Sequence, residues 1–184
     1  MVDISCGTVI LTNITAIKDA RSYVPPVAIG EVMRGAVVAK VVASKSSNFS
    51  PGNYVYAGSG WREYAVVKAK DLELVQIPAN GKVTDALGVL GMTGLTAYFG
   101  LLEVGQVKAG DFVVVSGAAG ATGSVVGQIA KLKGAKVLGI AGSNDKVSWL
   151  KEELGFDDAL NYKDPDFAKK FYAATTVSYK FLHL

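Results

Sequence analysis

The stretch Ser116-Gly117-Ala118-Ala119-Gly120-Ala121-Thr122-Gly123-Ser124-Val125-Val126-Gly127 decides the fold. It follows directly on the apolar run 112–116 (FVVVS) and leads into a helical pattern, so it reads as strand, tight turn, helix. Within it, Ala118-x-Gly120-x-x-Gly123 is the dinucleotide fingerprint with alanine in the first position. The spacing has a chemical reason. A glycine at 120 lets backbone approach a pyrophosphate with no Cβ in the way, and glycines at 123 and 127 let the helix pack closely on the strands. The free N–H groups and positive end of that helix then face the phosphates. A tightly packed turn with no ligand is the competing reading of the glycines alone. The strand–turn–helix–strand context favours the nucleotide.

Downstream, Val125, Ile129 and Leu132 fall at i, i+4 and i+7, one face of a helix that Gly134 is placed to end. Residues 136–141 (KVLGIA) read as a second buried strand, and Ser143 or Asn144 can cap the next helix. Val147, Leu150 and Leu154 form the apolar face of that helix, Gly155 closes it, and residues 158–162 (DALNY) make a short third strand. The order β-α-β-α-β is the first half of a Rossmann doubly wound parallel sheet. Its second strand bears on which nucleotide binds. NAD-binding chains place an Asp or Glu about 20 residues past the glycines, to hold the ribose 2′-OH. Here the strand ends Ile140-Ala141-Gly142-Ser143, and the first acid, Asp145, lies inside the next helix beside Lys146. A small, uncharged strand end followed by lysine suits a 2′-phosphate, although an exposed helix lysine is the ordinary alternative.

Upstream, residues 1–85 read mostly as strand. The segments 8–12, 36–43, 53–57, 63–67 and 71–78 are short, rich in Val, Ile and Tyr, and separated by Pro25-Pro26, Ser50-Pro51-Gly52 and Gly58-Ser59-Gly60. This half looks like part of an antiparallel barrel or sandwich. Residues 85–102 read as helical, and the domain boundary falls between Gly81 and Gly110. The expected organisation is a partial β-rich domain at 1–85, a connecting helical segment at 86–110, a partial nucleotide-binding domain at 111–171 and a tail at 172–184.

Half of the 184 residues are apolar and 19% are charged, which excludes a disordered chain. The net charge of +3 is spread out. Its tightest group, Lys131, Lys133 and Lys136, reads as a solvated helix end and not a nucleic-acid surface. One cysteine, Cys6, and one histidine, His183, cannot close a four-ligand zinc site, so no metal site is expected. A lone cysteine also allows no internal disulfide, which fits a reducing, cytoplasmic setting. The N-terminus carries no secretory pattern. Residues 86–102 and 112–130 are free of charge, but glycines and polar residues interrupt both, so buried elements of a parallel sheet explain them better than membrane spans.

These residues also carry a resemblance. Gly91-Met92-Thr93-Gly94-Leu95-Thr96-Ala97-Tyr98, the glycine turn, Ile140-Ala141-Gly142-Ser143, Glu153-Leu154-Gly155-Phe156-Asp157 and Asn161-Tyr162-Lys163 resemble the leukotriene B4 dehydrogenase / prostaglandin reductase branch of the zinc-free medium-chain dehydrogenases/reductases. That branch includes the 2-alkenal and curcumin double-bond reductases. Ser22-Tyr23-Val24-Pro25-Pro26, Ile29-Gly30-Glu31-Val32-Met33 and Gly60-Trp61-Arg62-Glu63-Tyr64 are similar as well, so the match runs from about Lys18 to Phe171. The resemblance implies a GroES-like β domain followed by the Rossmann domain, and NADPH-dependent reduction of the C=C bond of an enone or enal without metal. It implies that Gly120, Ala121, Thr122 and Gly123 lie under the pyrophosphate. Ser143, Lys146 and Tyr162 would then lie toward the 2′-phosphate, and Met92 and Thr96 would line the nicotinamide side, with helix packing as the plainer role for the last two. Relatives of this branch are homodimers, and the half that forms the dimer has no counterpart here.

The departures are specific. Residues 1–17 do not match the start of the family's β domain. Gly35-Ala36-Val37-Val38-Ala39 has alanine and valine where the family is glycine-rich, and Asn53 stands where Asp is usual. Residues 172–184 (YAATTVSYKFLHL) do not resemble the family's continuation. No catalytic residue is therefore assigned. The expectation is a chain truncated relative to the family, with an open apolar edge on the strand at 112–116 and little reductase activity of its own. A non-catalytic NADPH-binding fragment and a zinc-free quinone reductase stand as alternatives.

Overall fold

The computed structural model describes residues 1–10, 27–176 and 180–182. The chain divides into two compact units, Met1–Leu87 and Gly88–Leu184.

In the first unit, β1 (Val2–Ile10), β2 (Ala36–Ser44), β3 (Tyr54–Ala57), β4 (Tyr64–Val67) and β5 (Leu72–Leu74) form one antiparallel sheet in the order β4-β1-β2-β3-β5. Val2, Ile4, Val37, Val41, Val55 and Leu72 fill its core. The alternation of Val37, Ala39 and Val41 puts a mostly β-branched row on the inner face. Two strands differ from the sequence reading. β1 starts at Val2 and not at residue 8; residues 11 and 12, like the segment 22–26, lie outside the described residues. Of the strand expected at 71–78, β5 keeps Leu72–Leu74: Ala69–Asp71 forms a 3₁₀ turn in front of it, and Val75 adds one main-chain bond to Tyr54 beyond it.

The second unit opens with α1 (Met92–Phe99), which runs into a π-helical turn at Gly100–Val104. The helix expected over 85–102 is therefore broken. The N–H groups of Gly91 and Gly94 and the Thr93 hydroxyl all donate to the Gly88 carbonyl, folding 88–94 into a turn. A Cβ on Gly94 would stand 1.7 Å from the Val89 oxygen, so only glycine permits this closure.

Next come β6 (Phe112–Val115), α2 (Ala121–Leu132), β7 (Lys136–Ala141), α3 (Asn144–Glu152), β8 (Asp158–Asn161), α4 (Phe167–Ala174) and β9 (Lys180–Leu182). The four strands are parallel, in the order β8-β7-β6-β9. Val113, Val115, Val137 and Ala141 face one apolar layer with Val126, Ala130 and Leu150 of the helices. Val114, Leu138 and Ile140 face another, against Phe167 and Phe171 of α4. Coverage on both faces explains why these strands read as continuous apolar runs.

Two expectations are corrected here. The edge of β6 is not open: β9, from the segment 172–184, pairs with it at Val113↔Lys180 through Val115↔Leu182. Main-chain pairing asks little of side-chain pattern, so three strand residues near the end of the sequence do not announce themselves. The most buried residues of α2 are Val126, Gly127 and Ala130; of the expected face, Val125 and Ile129 pack partly buried against the core, while Leu132 is 86% exposed. Bulky residues drew the periodicity, while the close contact is made by small ones. Gly127 also packs on a side chain, not on the strands: a Cβ there would meet the Phe156 ring.

Gly134 and Gly155 end α2 and α3 with φ of +78° and +68°. Just beyond Gly155, Asp157 ties three elements together. It accepts hydrogen bonds from Lys131 Nζ of α2 at 2.7 Å and from the N–H of Val137 in β7 at 2.6 Å. Partial burial pushes the Asp157 carboxyl up, but Lys131 and the Val137 N–H outweigh it and hold it below its ordinary 3.8. A depressed carboxylate stabilises the fold above its unfolded pKa of about 3.9, and that contribution is lost as pH falls through the folded value. Asp157→Asn keeps an acceptor and removes the charge. It is expected to cost under about 1 kcal/mol at neutral pH, since the pair is one-third exposed. The gap between the two melting temperatures should close as pH falls below the lowered pKa of the Asp157 carboxyl; a gap that persists once the carboxyl is protonated would mean the charge is not responsible.

Candidate nucleotide-binding site

The carboxyl ends of β6, β7 and β8 carry the glycine turn, the Ser143–Lys146 segment and Tyr162, in that order. β6 lies between β7 and β9, so strand order reverses at its edge. In an open parallel sheet, ligands bind in the crevice at such a reversal.

The turn is pinned by two bonds: the N–H of Ala118 donates to Ile140 of β7, and the N–H of Gly120 donates to Gly117. Gly120 is the N-cap of α2, in extended conformation at φ −81° and ψ 170°, and no side chain caps the helix. The N–H groups of Ala121, Thr122 and Gly123 open the helix without an intrahelical acceptor. They border a cavity of about 260 Å³ that also meets Val115, Ser116 and Gly117. An uncapped helix end facing a cavity suits an anion. Gly123 has a different role. A Cβ there would stand 2.5 Å from the Gly117 oxygen, so it seats α2 against the turn.

A second cavity, of about 340 Å³, shares Gly117 and Gly120 with the first. It is bordered by the end of β7, by Lys146 in the first turn of α3, and by Tyr162 and Lys163 after β8. None of the described residues lining it is acidic. Tyr162 lies on Gly142, where a Cβ would stand 3.0 Å from its hydroxyl, and its own N–H donates to Ala141. Lys163 Nζ sits 5.9 Å from the Tyr162 ring centroid. Lys146 takes part in none of the salt bridges among the described residues.

Of the nine site residues expected from sequence, Gly120, Ala121, Thr122 and Gly123 border the first cavity, and Lys146 and Tyr162 border the second. Ser143 is the N-cap of α3, extended and without a side-chain capping bond, and it lines neither cavity. Met92 and Thr96 also line neither. Both are exposed on α1, Met92 at 65%, and the Thr96 hydroxyl donates to the Met92 carbonyl. Lys163 was missed, although its signal was present as a base beside Tyr162. Among the described residues no group of three His, Cys, Asp or Glu is placed to hold a metal, and no helix is long and apolar enough to cross a membrane. Cys6 falls on β1, and His183 lies outside the described residues.

Two family models match the chain: the N-terminal domain of oxidoreductase over residues 12–75, and zinc-binding dehydrogenase over residues 121–181; residues 12–17 and 172–181, expected to depart from the family, thus fall inside the matches. Prostaglandin reductase 1 of Bos taurus is 55% identical over 136 residues, 73% of this chain and 41% of that protein. The NADPH-dependent curcumin reductase of Escherichia coli (strain K12) is 45% identical over 158 residues, 85% of this chain and 45% of that protein. Among solved structures, CurA from Vibrio vulnificus in complex with NADPH superposes with a TM-score of 0.77 at 40% identity, covering 94% of this chain and 50% of that one. The chain spans about half the length of the relatives it matches.

Proposed function

We infer the function from the premise that this chain belongs to the medium-chain dehydrogenase/reductase family, in the branch of the prostaglandin and curcumin reductases. It is an NADPH-dependent oxidoreductase sequence, and its reaction is reduction of the C=C bond of an α,β-unsaturated aldehyde or ketone without zinc. The observation that carries this reading is the acid-free cavity shared by Gly120, Lys146, Tyr162 and Lys163, continuous with the uncapped start of α2.

The residues fit the cofactor. The N–H groups of Ala121, Thr122 and Gly123 take the pyrophosphate. Lys146 takes the 2′-phosphate, with Lys163 adding a second positive charge and the Tyr162 ring closing the side of the cavity. Ser143, at the start of α3, is assigned to the cofactor on the resemblance alone. Met92 and Thr96 are assigned to the nicotinamide side on the resemblance alone. NADPH held by these residues would supply the hydride for the β-carbon of the substrate, the proton for the α-carbon coming from solvent or from a group outside this sequence. No residue of this chain is assigned as proton donor. What the chain contributes is binding energy and orientation, worth several kcal/mol of a barrier when the reacting atoms are held in line.

The cofactor assignment is tested at Lys146. Lys146→Ala should weaken NADPH binding by about 1–3 kcal/mol, the scale of a charge-assisted hydrogen bond, and leave NADH binding nearly unchanged. Equal losses for both would mean that Lys146 acts through the fold. The reaction is tested by NADPH oxidation with trans-3-nonen-2-one against 1,4-benzoquinone in a protein carrying this sequence. Turnover of the quinone alone would replace the enone reading with quinone reduction, and binding without turnover of either would leave a nucleotide-binding module. Elemental analysis should find no stoichiometric zinc; one zinc per chain would overturn the metal-free reading.

A further inference from the structure

Two segments distant in the chain bring positive charge to the second cavity. Lys146 stands in the first turn of α3, and Lys163 follows β8 beside Tyr162. A side-chain bond joins these segments: Asn161 Nδ2 donates to Asn144 Oδ1 at 2.9 Å. Asn161 is the last residue of β8, and Asn144 is the first of α3. Neither is among the described residues that line the cavity.

Local geometry fixes which way round this bond is made. The Asp164 N–H donates to the Asn161 carbonyl at 3.0 Å, closing a turn whose two central residues are Tyr162 and Lys163. The Asn161 side chain spans the same turn, because its Oδ1 accepts the Lys163 N–H at 3.0 Å. A backbone N–H can only donate, so the amide oxygen of Asn161 must face Lys163 and its nitrogen is left for Asn144. Asn144 must then present its own oxygen. Asn161 thus shapes the turn that carries Tyr162 and Lys163 with one end of its amide. With the other end it holds the start of the helix that carries Lys146. Two cations on separate segments act on one phosphate only when their spacing is held.

We propose that Asn144 and Asn161 are positioning residues for the 2′-phosphate, linking the two segments so that Lys146 and Lys163 face one phosphate together. The proposal rests on the cofactor reading above. Fluorescence titration with NADPH and with NADH tests it, alongside a thermal melt of each variant. Asn144→Ala and Asn161→Ala should each weaken NADPH binding about three- to tenfold, and NADH binding by less than about twofold. Asn144→Ala is the cleaner variant: Asn144 is exposed, and the bond from Lys163 to Asn161 stays in place. Both changes cut the same bond, so the double variant should lose little more than the worse single one. Losses that multiply in the double variant would overturn the proposal. So would equal losses for NADPH and NADH, the mark of a residue that serves only the fold. Lys146→Ala, titrated in parallel, separates this failure from that of the cofactor reading. If Lys146→Ala weakens NADPH binding and Asn144→Ala does not, the link alone fails. If Lys146→Ala also leaves NADPH binding unchanged, the 2′-phosphate assignment fails and the link falls with it.

Discussion

Gly120→Val is expected to abolish measurable NADPH binding, a loss of at least about a hundredfold or about 2.7 kcal/mol, while leaving the fold largely intact. Gly120 is in extended backbone that any residue adopts, and a Cβ there would meet only the Gly117 oxygen, at 3.1 Å. The turn can yield by the few tenths of an ångström required. The cavities cannot, because Gly120 borders both of them and a branched side chain would stand where they join. Gly123→Val is the contrasting case. Its Cβ would stand 2.5 Å from the Gly117 oxygen and 2.9 Å from the Ala118 Cα, both backbone, so it should lose stability and binding together. Fluorescence titration with NADPH and a thermal melt on the same samples separate the two. If Gly120→Val melts as low as Gly123→Val, position 120 serves packing and the phosphate role fails.

The contrast between Gly120 and Gly123 follows from what a one-dimensional pattern carries. The fingerprint spacing placed both glycines correctly on a strand–turn–helix, and the acid-free end of β7 was plain at Ile140-Ala141-Gly142-Ser143. These features are local, fixed by residues within one turn of each other. The buried face of α2 was not legible in the same way. Apolar periodicity gives weight to Val125, Ile129 and Leu132, yet the tight contact runs through Gly123, Gly127 and Ala130, which have almost no hydrophobic weight. Lys163 was hidden for a related reason. It borders the same cavity as Lys146 only because β8 lies beside β7, a pairing of residues 20 apart in sequence. β9 was hidden because parallel pairing uses main-chain groups, which every residue except proline supplies. In the first unit the strands were visible from β-branched runs, but nothing local joins the segment at Gly60 to that at Gly35, which pair through the main chain.

The second large effect is expected at Gly127, where intrinsic propensity and packing oppose each other. Gly127 is helical, and an alanine in a helix interior is favoured over glycine by about 1 kcal/mol. Packing points the other way. A Cβ on Gly127 would stand 1.9 Å from Phe156 Cζ, inside the ring's own volume. The ring has little room to retreat, since Phe156 is buried and Gly139 of β7 also lies against it, where a Cβ would be 3.0 Å from the same ring. Gly127 and Gly139 thus form two walls of a slot for Phe156. Overpacking of a closed site costs about 1–3 kcal/mol and sometimes more. Gly127→Val should therefore lose about 3 kcal/mol, lowering the melting temperature by roughly 10–20 °C in a domain of this size. Even Gly127→Ala should be net destabilising, against its propensity. The slot has a further consequence. Phe156→Ala alone should cost about 3–5 kcal/mol by leaving the slot empty, but it also creates the space that a valine at position 127 needs. The double variant should then be more stable than the sum of the two losses by at least about 1 kcal/mol, since residues in contact do not act additively. Additive losses would mean that Phe156 is not what excludes a side chain at 127. A stabilised Gly127→Ala would mean that the ring moves aside freely and the slot is not closed.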